Sequence, residues 1–276
     1  IARLSFNWGG TLGGEDIVVT AGCMEALSLT LKAITRPGDA VAIESPTYFG
    51  IFQVMESLGL KVVEIPTDPN TGIDLDQLER AIRRFSIRAC LFVCNFNNPM
   101  GNSLPEEKKK QLVELITRKN IPLIEDDIYG ELYFGKTRPR TCKLYDTEGL
   151  VIQCGSFSKS LAPGYRVGWV VPGRYKDRII QLKRMNNVST NTLAQSAIAL
   201  FLSNGRYELH LRHLRRALHT QSLRYIEAIS RCFPEDTRLT RPQGGFALWV
   251  EMDRDADSYS LHKKALKQGI GIAPGQ

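Results

Sequence analysis

The feature that most constrains this chain is an alternation. From residue 17 to about 171, short apolar runs take turns with stretches of helical spacing. Ile17–Thr20, Ala40–Ile43, Lys61–Ile65, Ala89–Cys94, Pro122–Glu125, Leu150–Ile152 and Val167–Val171 read as strands. Ala89–Cys94 is apolar throughout, as a parallel strand buried on both faces must be. Between them Met24–Ile34 places Leu27, Leu31 and Ile34 on one face. Pro46–Leu58 reads as a helix closed by Gly59, Asp74–Arg83 as one capped by Asp74, and Pro105–Lys119 as a third amphipathic helix. Strands alternating with helices through short connections predict an α/β fold, a mostly parallel sheet flanked by helices.

Beyond residue 171 the texture changes. Helical spacing runs over Arg174–Asn186, Thr192–Leu202, Tyr207–Cys232 and Tyr259–Lys267, with strands expected at Ala247–Val250 and near Ile270. We therefore expect a large α/β domain over residues 1–205 and a smaller, incomplete C-terminal α+β domain over residues 206–276.

Several classes can be set aside. No apolar run reaches the roughly 20 residues that cross a bilayer. Ile1-Ala2-Arg3-Leu4 shows no signal pattern and no initiator Met, so a fragment or a processed chain is expected. Six cysteines, none in a C-x-x-C pair, read as reduced thiols of a cytoplasmic protein. The four histidines have no carboxylate or cysteine at metal-ligand spacing, and no metal is expected. The net charge of +7 would suit an anionic ligand or nucleic acid. Arg212, Arg215, Arg216 and Arg224, however, are expected on the solvated face of a helix.

In open α/β sheets ligands collect outside the carboxyl ends of the strands, and each polar cluster here follows such an end. Gly22 precedes a helix, so the N–H groups of Cys23 and Met24 can face an anion. Tyr48 can stack on a flat ring. Asn98 is projected by an Asn-Pro-x-Gly turn, and Asp126 ends a buried strand with Tyr129 three residues on. A carboxylate there needs a cation. Ser156-Phe157-Ser158-Lys159 follows the next apolar run, and Arg166 precedes the one after. These parts fit pyridoxal 5′-phosphate. Lys159 would carry it as a Schiff base, and Asp126 would keep the ring nitrogen protonated. Asn98 and Tyr129 would hydrogen-bond the phenolic oxygen, and Tyr48 would cover the ring. The Gly22–Met24 backbone, Ser156, Ser158 and Arg166 would hold the phosphate.

The motifs Asn98-Pro99-Met100-Gly101, Asp126-Asp127-Ile128-Tyr129 and Ser156-Phe157-Ser158-Lys159 with Arg166 resemble the fold type I pyridoxal-phosphate aminotransferases over nearly the whole chain. Met100 departs from the threonine often found in that turn. The stretches Thr20–Leu27, Glu44–Gly50 and Pro66–Asp74 look like the aminotransferase-like domain of the MocR branch of GntR-type transcription regulators. That resemblance implies an effector-sensing domain, a homodimer, and DNA binding through a helix-turn-helix segment outside these residues. It also implies an amino acid or amino compound as the ligand. The arginine that clamps the substrate carboxylate in the family is expected beyond Gln276, and the N-terminal covering arm before Ile1. A free-standing aminotransferase is the second reading. A nucleotide-binding domain is the third, and it fails for want of G-x-G-x-x-G or G-x-x-x-x-G-K-[ST].

Overall fold

The structure is a computed structural model describing residues 1–253 and 255–275. Arg254 lies outside the described residues, and so does Gln276, on which the expectation about the carboxylate clamp rests. The elements run β1 (Val18–Thr20), α1 (Cys23–Ile34), β2 (Ala40–Ser45), α2 (Gly50–Ser57), β3 (Lys61–Asp68), β4 (Gly72–Ile73), α3 (Leu75–Phe85), β5 (Ile87–Phe92), α4 (Glu106–Lys119) and β6 (Leu123–Asp126). They continue β7 (Val151–Ser156), β8 (Gly168–Val171), α5 (Lys176–Asn187), α6 (Thr192–Ser203), α7 (Arg206–Cys232), β9 (Arg238–Leu239), β10 (Val250–Glu251) and α8 (Ser258–Lys267).

The first eight strands form one sheet in the order β1-β8-β7-β6-β5-β2-β3-β4. Its centre, β3-β2-β5-β6-β7, is parallel throughout. β8 runs antiparallel between β7 and β1, and β4 closes the other edge antiparallel to β3. Alternate residues along each central strand serve opposite faces, as the two-residue period requires. Ala42, Cys90, Leu123 and Val151 pack with Leu78 of α3 and with Leu112 and Ile116 of α4. Val41, Ile43, Leu91, Ile124 and Ile152 pack with Leu27 and Leu31 of α1, Met55 of α2 and Ile179 of α5. Helices thus cover both faces of the sheet, the α/β arrangement expected.

Several boundaries differ from the sequence reading, each for a local reason. The strand expected over Ala89–Cys94 starts earlier and stops at Phe92, because the Val93 N–H turns to the buried Glu44 carboxylate at 3.2 Å. The helix expected from Pro46 begins at Gly50, after a loop that leaves Tyr48 and Phe49 exposed. Asp74 caps α3 as expected, accepting from the Gln77 N–H at 3.0 Å. The strand expected over Ala247–Val250 is the two-residue β10, paired with β9. None forms at Ile270 among the described residues, since its N–H closes the end of α8 on the Ala265 carbonyl at 3.0 Å.

Arg215 is a further correction. It is not solvated: its Nε donates to the Glu131 carbonyl at 2.7 Å, and its guanidinium lies 3.8 Å from the centre of the Tyr133 ring. Arg212, Arg216 and Arg224 are exposed. Cys23, Cys90, Cys94, Cys142 and Cys154 are buried free thiols, and Cys232 is exposed. Among the described residues no helix is long and apolar enough to cross a membrane.

β8 approaches the turn before α1 more closely than any side chain would allow. A Cβ on Gly168 would lie 2.6 Å from the Gly22 carbonyl carbon and 2.8 Å from the Gly155 carbonyl oxygen, both rigid backbone. Gly168→Ala should therefore destabilise the protein by about 1–3 kcal/mol, the ordinary cost of overpacking. Gly164→Ala, with nothing within 4 Å of the new methyl, should change stability by under about 0.5 kcal/mol in the same urea titration.

Candidate functional site

The parallel strands β1, β2, β5, β6 and β7 all point their carboxyl ends at one edge of the sheet, and the motif residues follow them there. Gly22 follows β1, Tyr48 follows β2 and Asn98 follows β5. Asp126 is the last residue of β6, and Ser156 is the last of β7 with Lys159 just beyond. Arg166 precedes β8. Because β8 runs the opposite way, its amino end lies at this same edge, which brings the guanidinium back beside the β1–α1 turn.

At that turn Gly22 has φ +97°, a conformation L side chains avoid, and a Cβ there would sit 2.6 Å from an Arg166 nitrogen. Arg166 donates from Nη2 to the Ala21 carbonyl at 3.0 Å and from Nη1 to the Ser158 hydroxyl at 3.5 Å. No side chain caps the start of α1, leaving the first N–H groups, those of Cys23 and Met24, without a helical partner. The Ser156 hydroxyl is buried, donating to the Val167 carbonyl at 3.0 Å and lying 2.8 Å from the Ser158 hydroxyl. Ser156 thus shapes the turn that presents Ser158. Helix end, hydroxyl and guanidinium together make a cradle for an anion.

The other half of the site lies around Asp126. The Asn98 amide donates to the Tyr129 hydroxyl at 3.3 Å. The Cys23 thiol donates to Asp126 Oδ1 at 3.3 Å, and the Ile128 N–H reaches the same oxygen at 3.2 Å. Burial pushes the Asp126 carboxyl up to about 6, partly opposed by those two donors and by nearby Lys159. Burial likewise pushes the Tyr129 hydroxyl up to about 12, so it stays protonated at neutral pH. The exposed Lys159 ammonium stands 5.4 Å from the centre of the Phe246 ring. Tyr48, 40% exposed, stacks obliquely on Phe49 at 5.0 Å.

Asp127 turns the other way. It pairs with the Arg138 guanidinium, both side chains buried, and accepts from the Asn95 amide at 3.0 Å and the Gln153 amide at 3.1 Å. Arg138 continues to Glu131 at 2.7 Å, and Glu131 to Arg215 of α7 at 3.2 Å. No spacing rule announces this network. Its acid could be suspected only because a second carboxylate beside Asp126 must also find a charge. The sequence reading likewise missed Phe246, whose segment becomes part of the site only through tertiary contact.

Among the described residues no ion pair involves Lys159, Arg166 or Asp126. One face therefore holds two cations short of an anion and one acid short of a cation. Any resident of the site should carry charge of both signs, negative toward Arg166 and positive toward Asp126.

The aminotransferase class I and II family matches residues 9–276. The chain belongs to that family. Two proteins of Escherichia coli K12 are similar to this class I and II domain over its whole length. One is the uncharacterized HTH-type transcriptional regulator YjiR, 41% identical over 275 residues, of which the match covers 58%. The other is the uncharacterized HTH-type transcriptional regulator YdcR, 42% identical over 276 residues and covered over 59%. The chain thus spans less than two thirds of these curated relatives. Among solved structures, the α-aminoadipate aminotransferase LysN of Thermus thermophilus, complexed with N-(5′-phosphopyridoxyl)-L-leucine, superposes with a TM-score of 0.89. It is 30% identical, with 95% of this chain and 68% of that one covered.

The buried acids of this domain set its pH response. Burial raises Glu44 to about 8, Glu125 to about 7 and Asp126 to about 6. Each value lies above that of a free carboxylate, so folding takes up protons between the two values and stability falls as pH rises. The cofactor-free protein should lose stability between about pH 4 and pH 8 in urea titrations. Asp126→Asn should be the more stable form at pH 7 and converge on the parent near pH 4; a variant less stable at pH 7 would contradict the burial argument. Asp127→Ala should cost about 3 kcal/mol at neutral pH, because it strips one partner from the buried Arg138.

Proposed function

We propose that this chain is the pyridoxal 5′-phosphate-binding, effector-sensing part of a MocR-type transcription regulator that retains amino-group chemistry. The charge imbalance at the sheet edge carries the cofactor assignment. A phosphate answers Arg166 and the α1 terminus, and a protonated pyridine nitrogen answers Asp126, so one molecule would satisfy both ends. The similarity to YjiR and YdcR, above that to LysN, supports the regulatory role.

In this reading Lys159 would hold the group covalently through Nζ. Arg166, Ser158 and the Cys23 and Met24 N–H groups would hold the phosphate, with Ser156 bracing the turn. Asn98 and Tyr129 would hold the phenolic oxygen, and Tyr48 would lie over one ring face. The cofactor, when bound, supplies an electron-accepting ring that stabilises negative charge on an attached amine's carbon. Asp126 would serve it by keeping the ring nitrogen protonated. A cation opposite Asp126 offsets the burial that raises it, so its carboxyl is ionised with the site filled.

The partners follow from the same reading. They are an amino acid or amino compound that reacts with the cofactor, a second copy of the chain, and DNA through a helix-turn-helix segment outside these residues. Exposed apolar side chains such as Phe49 (70%), Val188 (83%) and Leu193 (79%) support a covering copy. The reading places the protein in the cytoplasm, in keeping with its unpaired thiols. It divides the chain into a cofactor-binding domain over 1–205 and a smaller domain over 206–276, supported by the sparse burial after Leu211.

Lys159→Ala should abolish the yellow, borohydride-reducible adduct formed on adding pyridoxal 5′-phosphate, as only an amine forms it. Covalent trapping that survives in the variant would refute the assignment. Asp126→Ala should weaken cofactor binding strongly, and Asp127→Ala less so.

The full-length parent should enrich a defined sequence from random duplex DNA, and an amino compound should change its mobility shift. Rapid turnover of several amino acid and 2-oxo acid pairs, with no DNA selected, would instead make it a free-standing aminotransferase. The intact Lys159 and Asp126 keep that second reading in view.

A further inference from the structure

Phe246 belongs to a segment that none of the assigned roles uses. The segment is fastened to the floor of the site from two sides. The Phe134 N–H donates to the Gln243 carbonyl at 2.8 Å, the Gly245 N–H donates to the Leu132 carbonyl at 2.9 Å, and Tyr133 bridges Gly244 as in a strand pair. A Cβ on Gly244 would fall 2.5 Å from the Phe96 ring, so the backbone is pressed onto the Asn98 turn. The Phe246 side chain then stands where the two functional halves meet. Its ring meets Tyr129 edge-on, 5.3 Å between centres at 82°, and its face receives the Lys159 ammonium at 5.4 Å.

A large aromatic held this firmly would ordinarily be buried. Phe246 is 51% exposed, and its ring borders Lys159, the residue assigned to hold the cofactor with which an amine ligand would react. We propose that Phe246 is the wall against which the side chain of the amine ligand packs, and that it selects an apolar side chain over an acidic one. The inference rests on the reading of Lys159 as the residue that holds the amine-reactive cofactor and names the ligand class that reading leaves open. An apolar or flat side chain laid on the ring removes apolar surface from water. A carboxylate in the same place would shed hydration against a ring face that carries partial negative charge.

The test is an absorbance titration of the full-length protein, loaded with pyridoxal 5′-phosphate, using L-phenylalanine, L-leucine and L-aspartate. Affinity ratios within one variant cancel any change in cofactor binding. Phenylalanine and leucine should bind at least about tenfold more tightly than aspartate, the scale of a hydrophobic-pocket preference. Phe246→Ala should bring that ratio below about threefold, and Phe246→Leu should keep leucine ahead of aspartate. Phe246→Arg should turn the preference toward aspartate, which tests the wall even where Phe246→Ala folds poorly. A wild-type preference for aspartate, or a ratio that Phe246→Ala leaves unchanged, overturns the proposal while the cofactor reading stands. A wild-type protein that takes up no pyridoxal 5′-phosphate removes the reading beneath it.

Discussion

A carboxylate at the end of a buried strand needs a positive charge or a proton, and β6 ends in one, Asp126, with a second, Asp127, directly after it. Asp127 meets Arg138 inside the protein, with Asn95 and Gln153 supplying the remaining hydrogen bonds. Asp126 receives a thiol and one N–H, and burial pushes it up toward neutrality. Strand geometry makes the division: successive residues point to opposite sides, so one acid joins the scaffold and its neighbour opens to the site. Buried charge pairs contribute little net stability, but breaking one is costly. Such a pair therefore holds the end of β6 in one arrangement, and Asp126 inherits that rigidity.

The same network reaches beyond the sheet. Arg138 also binds Glu131, and Glu131 binds Arg215 from α7. Helix α7 therefore has an electrostatic tie to the residue next to Asp126. The tie is short and largely shielded from water, where charged hydrogen bonds are strong. A ligand that alters the charge on Asp126 acts beside a group wired to the long helix.

The site is economical because the sheet does most of the positioning. Parallel strands deliver their carboxyl ends to one edge, and the reversed β8 returns Arg166 to it. The close approach of Gly168 to Gly22 lets the returning strand lie against the turn that starts α1. The helix end, Ser158 and Asp126 are then placed by backbone and short side chains, with Arg166 the one long side chain of the cradle, which limits the entropy lost when a ligand binds.

The sequence by itself determined the alternation of strands and helices, the two-faced burial of the central strands, and the residues that follow their carboxyl ends. These are local matters: hydrophobic period, turn chemistry and capping are written within a few residues of one another. Asp74 capping α3 is one case, and the cluster at Asp126–Tyr129 is another. Tertiary structure decided what depends on partners far along the chain. Glu44 ends β5 by taking the Val93 N–H, 49 residues away, which no run of apolar residues foretells. Ile270 closes a helix instead of forming a strand because its N–H reaches Ala265 first. Arg215 looked like one more solvated charge until Glu131, 84 residues distant, claimed it. Phe246 became part of the site only when its segment docked on Leu132 and Phe134, because a side chain's surroundings are set by packing and not by its neighbours in sequence.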